Sequence, residues 1–275
     1  MYSAKGGLSD EQVETFRENG FLVIDDIFTE IEVAELRTAS NLDTIRESQQ
    51  EKGFDKKAVH LLELTIKHPL FKDLARDERI LDLIRPLIGN DIQLQHSKIA
   101  TKPPTKGAGA FKMHQDFAFF PHTNTSLVAV MVMLDDATKE NGCMQMISGS
   151  HKWGLLDHLE NGIFSGGCVE VDRWADQSRL VDVTPRAGGI SIHHCLSLHG
   201  SPTNSSGEPR RGLVFQYRAD DAYQLADTVF EDTGTLVSGQ RNGKVRCEPG
   251  EWQLPRRQPG NYGSAWNQIG TKVEF

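Results

Sequence analysis

His114 and Asp116 stand two residues apart in Lys112-Met113-His114-Gln115-Asp116-Phe117. In an extended chain, residues two apart face the same side. The spacing therefore presents an imidazole and a carboxylate side by side. A metal site needs a further ligand, and the candidate is His199 in Leu198-His199-Gly200-Ser201. Two histidines and one carboxylate on one face, with the other positions open, make the donor set of non-haem Fe(II) oxygenases. A lone His-x-Asp triplet is more often a surface strand pair; here its surroundings argue for the metal.

Other residues compete for roles. His193 and His194 lie close before His199, and composition alone leaves both open as ligands. His151, in Gly-Ser-His-Lys, reads as a structural hydrogen-bonding residue. Lys98 and Lys102 lie on or near the strand before His114; either could touch a bound co-substrate, though each reads first as a solvated lysine. Phe117, Phe119, Phe120 and His122 follow Asp116 and divide between core packing and a substrate pocket, as do Trp153 and His158. Cys143, Cys168 and Cys195 read as small buried residues.

The elements that must position these groups fall into two parts. Up to residue 90 the signals are helical. Ser9 with Gln12, and Thr29 with Glu32, are capping boxes, each flanked by a hydrophobic staple, Leu8 with Val13 and Phe28 with Val33. Gly20 closes the first helix, residues 21–24 form a short strand, and the second helix runs into the forties. Residues 47–57 read as a loop and 61–66 as helical. A helix over 80–88, capped by Asp77, contains Pro86, which predicts a kink or an early end. From Ile92 the period changes to that of strands: 92–100, the His-x-Asp strand, 127–134, 143–147, 180–183, 190–194 and 212–217. Residues 149–167 form a long connection without structure of its own, a kind of segment that is often functional. Helices first, then many short strands, predict an α+β domain with a closed or double sheet. We expect one domain over 1–275: a helical part (8–90), a β core (91–220) and a C-terminal extension (221–275) that covers the barrel or is partly loose.

Composition narrows the function classes. The chain has 275 residues, 38% hydrophobic and 25% charged, with no apolar run long enough to span a membrane. A formal charge of −8 and the lack of a basic run argue against nucleic acid. The four cysteines show no Cys-x-x-Cys spacing, and the first residues lack the apolar core of a signal peptide. A reducing cytoplasm is the expectation, with a small molecule as partner and no nucleic acid or membrane.

Glu18-Asn19-Gly20-Phe21-Leu22-Val23-Ile24, His114-Gln115-Asp116, Asn141-Gly142-Cys143, Gly149-Ser150-His151-Lys152, and His199-Gly200-Ser201 leading to Arg210 occur in this order. The ordered set, over roughly residues 8–220, resembles the phytanoyl-CoA dioxygenase family, which includes ectoine hydroxylase-like enzymes. Ile147-Ser148 departs from a proline common there, outside the metal site. The resemblance implies a double-stranded β-helix, the jelly-roll barrel of cupins, with the N-terminal helices packed outside. It implies an Fe(II)- and 2-oxoglutarate-dependent dioxygenase that uses O2 to hydroxylate a small metabolite and releases succinate and CO2. It also implies His114, Asp116 and His199 as iron ligands. Arg210, followed by Arg211, would hold the far carboxylate of 2-oxoglutarate, assisted by Ser201. Strand parity agrees: Arg210 shares a face with Gly212, Val214 and Gln216, whereas Arg211 shares one with Leu213, Phe215 and Tyr217.

Two other readings use the same fold: a Zn(II) hydrolase or isomerase with the same triad, and a non-catalytic binding module. The first would not need Arg210 facing the metal. Halogenases of this broad group lack the carboxylate ligand, and Asp116 argues against that outcome.

Overall fold

The computed structural model describes residues 7–41, 59–104, 106–107, 109–173, 177–228 and 230–255. Both capping boxes are formed. The Ser9 and Gln12 side chains each accept from the other's amide at the start of helix Asp10–Asn19, and Thr29 and Glu32 do the same for helix Glu30–Ser40. Gly20, at φ 83, ends the first helix and turns the chain into β1 (Phe21–Ile24). The second helix ends at Ser40 rather than in the forties. Near its end the Thr38 and Ser40 hydroxyls bond back to Ala34 and Leu36 carbonyls, a competition that weakens a last turn. The loop expected at 47–57 lies outside the described residues.

Two expectations in the helical part need correction. Residues 61–62 are strand, the end of β2 (Val59–Leu62), and helix begins only at Leu64–Lys67. A short apolar run reads equally as helix or strand by periodicity. Glu63, at φ 64, makes the break between the two. Helix Glu78–Ile88, capped by Asp77, continues through Pro86 to Gly89. Pro86 sits in the last turn, so its missing N–H costs only one helical bond, to Asp82 O, and the Gly89 amide still bonds Arg85 O.

Two sheets follow. The larger contains β1, β2, β3 (Ile92–Lys102), β5 (Leu127–Met133), β10 (Ile190–His194), β12 (Arg210–Ala219) and β13 (Thr235–Ser238). Its order is β1-β10-β5-β12-β3-β13, with β2 also on β3. The smaller runs β4-β11-β6-β9, built from β4 (Phe111–His114), β11 (His199–Ser201), β6 (Met144–Ile147) and β9 (Leu180–Val183). All pairings are antiparallel. The architecture is a double-stranded β-helix with the N-terminal helices on its outer face.

The alternation of β12 decides what lies on each side of the large sheet. Leu213, Phe215 and Tyr217 join Val128, Val130, Val132, Ile190 and Ile192 in one core with helical Phe16, Leu36, Phe71, Leu81 and Ile84. The opposite face carries smaller or more flexible groups, Ala100, Ala129, Met131, Met133 and Val214. A bulge in the β12–β3 pairing at Gln216/Tyr217 lets Leu94 and Ile99 both face the helices although five residues apart.

The 149–167 connection is not structureless. Ser150–Trp153 is a 3-10 turn, and β7 (Leu159–Glu160) and β8 (Ile163–Phe164) form a hairpin. Asn161 and Gly162 turn it with φ 53 and 76, both positive, as a tight hairpin requires. The C-terminal extension is partly in the sheet through β13, and Trp252 packs on Phe117 at 5.1 Å.

Candidate metal centre

Three side chains converge between the sheets. His114 is the last residue of β4, and His199 is its direct cross-strand partner at the start of β11. Asp116 lies just past the strand rather than in it, at the start of a 3-10 turn, with Gln115 still extended at φ −111. The i, i+2 relation therefore survives the end of the strand. The β4–β11 approach depends on Gly200: a Cβ there would stand 2.8 Å from both Met113 Sδ and Phe111 O.

The donor set fits one divalent ion. His114 Nε2 and His199 Nε2 lie 3.8 and 3.9 Å from Asp116 Oδ1. Two metal–ligand bonds of about 2.1 Å span at most about 4.2 Å, so a single ion can bridge Asp116 to either histidine, and all three donor atoms lie within 4.8 Å of one another. The other nitrogen of each ring is tied to backbone: His114 Nδ1 to Lys112 O at 2.7 Å, His199 Nδ1 to Ser197 O at 2.9 Å. That fixes the Nδ1–H tautomer and aims the Nε2 lone pair at the ion. Burial pushes both imidazoles below their ordinary range, and neutral imidazole is the ligating form. Burial alone would push the Asp116 carboxyl up. The His193 hydrogen bond and the nearby Lys98 ammonium help to outweigh it and hold the group well below the carboxylate range.

The second oxygen of Asp116 is held separately. Oδ2 contacts His193 Nε2 at 3.2 Å and accepts from Gln216 Nε2. His193 is thus turned towards the triad without joining it. His194, one residue on, faces the helices, with its ring 6.4 Å from Phe16 and 5.4 Å from His151. Its sequence signal was the alternation Ile190, Ile192, His194 on the helix side against Ser191 and His193 on the other. Gln115 faces away from the metal and staples the 149–167 connection. Its Nε2 donates to Gly154 O and Leu196 O, and its Oε1 accepts from Leu156 N, all at 2.8 Å. His158 accepts from Gln115 N at 3.1 Å and bonds Leu156 O, and His151 bonds Arg17 O at 3.0 Å.

Arg210 and Ser201 line the same cavity as the triad, with Lys98, Met131 and Gly200. Gly212 makes room beside Arg210: a Cβ there would stand 2.7 Å from Met131 Cγ. Arg210 is 4% exposed, and its Nε has no hydrogen-bond partner among the described residues. Burial lowers its guanidinium to about 10. A buried cation of this kind suits an incoming carboxylate. Arg211 points the other way and pairs bidentately with Asp135, both contacts at 2.8 Å.

Lys98 and Lys102 are not solvated as the sequence reading had them: they are 5% and 0% exposed. Each follows from parity, since both lie on the face of β3 that meets Arg210 and Val214. Lys102 Nζ bonds Pro202 O, while Lys98 lines the metal cavity. Of the aromatics after Asp116, Phe119 stands edge-on to His114 at 5.4 Å, whereas Phe117 packs with Cys195 and Leu127 in an apolar cluster. Cys143, Cys168 and Cys195 are buried and Cys247 is exposed. Among the described residues, no helix is long and apolar enough to cross a membrane.

The sequence and the fold match known proteins. The phytanoyl-CoA dioxygenase (PhyH) family model matches residues 16–212. A probable alpha-ketoglutarate-dependent hypophosphite dioxygenase of Stutzerimonas stutzeri is 33% identical over 268 residues, covering 90% of this chain and 91% of the relative. An ectoine dioxygenase of Halomonas elongata is 28% identical, covering 79% and 72%. Among solved structures, EctD from S. alaskensis with bound Fe superposes with a TM-score of 0.67 at 22% identity, covering 91% of this chain and 90% of that one.

Proposed function

The chain belongs to the phytanoyl-CoA dioxygenase family, and on that premise we propose that His114, Asp116 and His199 hold its iron and that Arg210 and Ser201 hold its co-substrate. It is an Fe(II)- and 2-oxoglutarate-dependent dioxygenase that oxidises a small molecule. Iron with 2-oxoglutarate and O2 supplies the oxidising equivalent for hydroxylation, with release of succinate and CO2.

The protein's own part is positioning. Two neutral imidazoles and one carboxylate would hold the ion through three donors and leave room for co-substrate and O2. His193 and Gln216 hold Asp116 by its second oxygen, so that Oδ1 stays turned towards the histidines. Arg210 provides a planar fork for the far carboxylate, and Ser201, two residues after His199 on β11, adds a hydroxyl on the same wall. We also read residues 1–275 as one domain, supported by β13 of the C-terminal extension pairing with β3.

The observation that carries this reading is the pairing in one cavity of the three donors with Arg210, a buried cation whose Nε lacks a partner. A zinc hydrolase or isomerase has no use for that arginine, and a binding module has none for the ligand tautomers. The test is anaerobic addition of Fe(II) and 2-oxoglutarate. A visible metal-to-ligand charge-transfer band, absent when zinc replaces iron, is expected; no band under saturating 2-oxoglutarate would defeat the reading.

A further inference from the structure

Gln216 Oε1 and His96 Nε2 are both buried without a hydrogen-bond partner among the described residues, and they belong to facing residues. The larger sheet carries one transverse row: His193 on β10, Ala129 on β5, Gln216 on β12 and His96 on β3, each the cross-strand partner of the next. His193 and Gln216 hold the second oxygen of Asp116. His96 stands at the end of the row, next to Gln216, and is 4% exposed. Facing side chains on paired strands stand about 5 Å apart at Cβ, so one small group can touch both.

The hydrogen-bond network makes acceptors of both atoms. Gln224 donates through Nε2 to Ala226 O at 2.8 Å, so its Oε1 is the atom that meets Gln95 Nε2, also at 2.8 Å. Gln95 Nε2 donates to Phe230 O as well, at 3.0 Å. Gln95 therefore turns Oε1 towards His96 Nδ1, and an amide oxygen only accepts. The His96 proton sits on Nδ1, and Nε2 is a bare lone pair on a ring that burial keeps neutral. Gln216 donates through Nε2 to Asp116, which leaves the carbonyl oxygen as the free end of its amide. Two acceptors cannot pair with each other, and buried acceptors left unpaired are costly. What this rung lacks is a donor with two hydrogens.

There is room for one. His96 borders a cleft of about 650 Å³, whose walls include Leu62, Thr65 and Phe230. It lies at a break in the edge of β3: β2 pairs with residues 98–101 and β13 with residues 92–94, and neither takes 95–97. The metal site is close by. Phe230 lies 6.1 Å from Phe119, ring to ring, and Phe119 lies 5.4 Å from His114.

We infer that the primary substrate carries a nitrogen with at least two hydrogens, an amine or a primary amide, and that this group docks between His96 Nε2 and Gln216 Oε1. The inference deepens the oxygenase reading above and rests on it. A hydroxyl has one hydrogen and fills one acceptor; an amino or amide nitrogen fills both. His96 is then a residue of specificity. It fixes the nitrogen end of the substrate, and the bond to be oxidised lies on the metal side.

The probes are β-alanine, ethanolamine, putrescine and propionamide, each beside its fully N-methylated counterpart, which keeps the charge and loses every N–H. Each is titrated anaerobically into enzyme loaded with Fe(II) and 2-oxoglutarate, and the shift of the charge-transfer band gives its Kd. Succinate release under air is measured in parallel. At least one N–H compound should shift the band and stimulate succinate. Its N-methylated counterpart should bind at least about tenfold more weakly, because it leaves the buried acceptors unpaired. His96→Phe keeps a ring and removes the acceptor. It should raise the Kd of the N–H compound by at least about tenfold and narrow its advantage over the methylated one. The 2-oxoglutarate Kd should stay within about twofold, and His96→Gln, which returns an acceptor, should recover part of the affinity. If His96→Phe fails to load iron, nitrogen NMR of zinc-loaded wild type decides: His96 Nε2 should be bare, and should become hydrogen-bonded when the amine or amide is added. An Nε2 that carries its own proton would overturn the inference. So would an unchanged Kd in His96→Phe, which would show that an ordered water satisfies the pair. A normal band with equal binding of both members of every pair, or with no response to any N–H compound, would overturn it while leaving the oxygenase reading intact. No band in the wild type would remove the reading and the inference together.

Discussion

His193 Nε2 contacts Asp116 at Oδ2, 3.2 Å away, while Oδ1 is the oxygen that faces His114 and His199. One carboxylate thus turns one oxygen to an orienting histidine and the other to the proposed metal position. Residues that orient a ligand in this way typically change metal affinity by about 10- to 100-fold when removed. His193→Ala should therefore weaken Fe(II) binding by about that factor, read by anaerobic titration, with the far-UV circular dichroism unchanged. His194→Ala, which removes a ring packed towards the helices, should leave iron affinity alone and lower thermal stability instead. Equal iron affinity in wild type and His193→Ala would show that Gln216 alone holds Asp116.

The contrast between these neighbours shows what was legible beforehand. The ligand set was visible because its spacing is local at His114 and Asp116. The helix starts were visible because a capping box is a four-residue pattern. The role of His193 was not, because it depends on which face of the β10 sheet lines the barrel interior, a fact of how the two sheets pack. The burial of Lys98 and Lys102 was hidden for the same reason. Lysine in a strand reads as solvated until its face is known to line a closed barrel. β11 escaped notice because three residues, one of them glycine, carry no period. The Asn161-Gly162 hairpin was within reach, since that dipeptide between short apolar runs is a strong turn signal. It was masked by the surrounding glycines, which made the whole connection look irregular.

Asp116→Ala should abolish turnover and iron retention together. The loss removes the only carboxylate among the three donors and leaves His193 facing an empty position. Iron content after desalting and succinate release measure the two effects. Wild-type succinate release from the variant would sink the ligand assignment.

Arg210 and Arg211 are neighbours with opposite duties. Removing a charged partner of a bound carboxylate costs about 2–5 kcal/mol, and about 1.4 kcal/mol is one decade. Arg210→Ala should raise the 2-oxoglutarate requirement by at least about tenfold. Arg211→Ala breaks the bidentate pair with Asp135, which ties β12 to the end of β5. It should lower the melting temperature while changing the 2-oxoglutarate requirement much less. Titrating the co-substrate against both variants decides the matter: a larger effect at Arg211, with folding intact, would reverse the assignment.

Gln115 joins the metal strand to the 149–167 connection by two side-chain hydrogen bonds, to Gly154 O and from Leu156 N, and donates a third to Leu196 O. Gln115→Leu keeps the bulk and removes all three. Limited proteolysis should then cut within 149–167 faster than in wild type, because the connection loses its tie to the strand. In the wild type, iron, 2-oxoglutarate and a substrate that stimulates succinate should slow cutting there. Indifference of the cleavage rate to both changes would show that the hairpin and Phe164 alone fix this segment.

The buried histidines set the acid side of stability. Burial lowers His122 and His158 to about 4 and His194 to about 3, against backbone bonds to Phe120 and Leu156 that oppose the shift in the first two. The fold thus prefers each ring neutral, while the unfolded chain protonates it near the ordinary value of about 6.5. As pH falls through 6.5 the unfolded state gains protons that the folded state does not, and stability drops. The loss from these rings continues to about pH 4 for His122 and His158 and about pH 3 for His194, where the folded forms protonate too. Shifts of this size correspond at most to roughly 3 kcal/mol each for His122 and His158 and roughly 5 kcal/mol for His194. Glu32 acts in a lower window. The Arg79 hydrogen bond holds its carboxyl at about 2 against an ordinary 4.5, so its contribution is lost only as pH falls from 4.5 towards 2. Urea midpoints of metal-free protein should therefore be steady from pH 8 to 7 and fall between pH 6.5 and 4.5. His158→Gln, which removes one of these rings, should start lower at pH 7 but decline less steeply. A wild-type midpoint unchanged between pH 7 and 4.5 would show that these rings are protonated in the folded protein and that their burial has been misjudged.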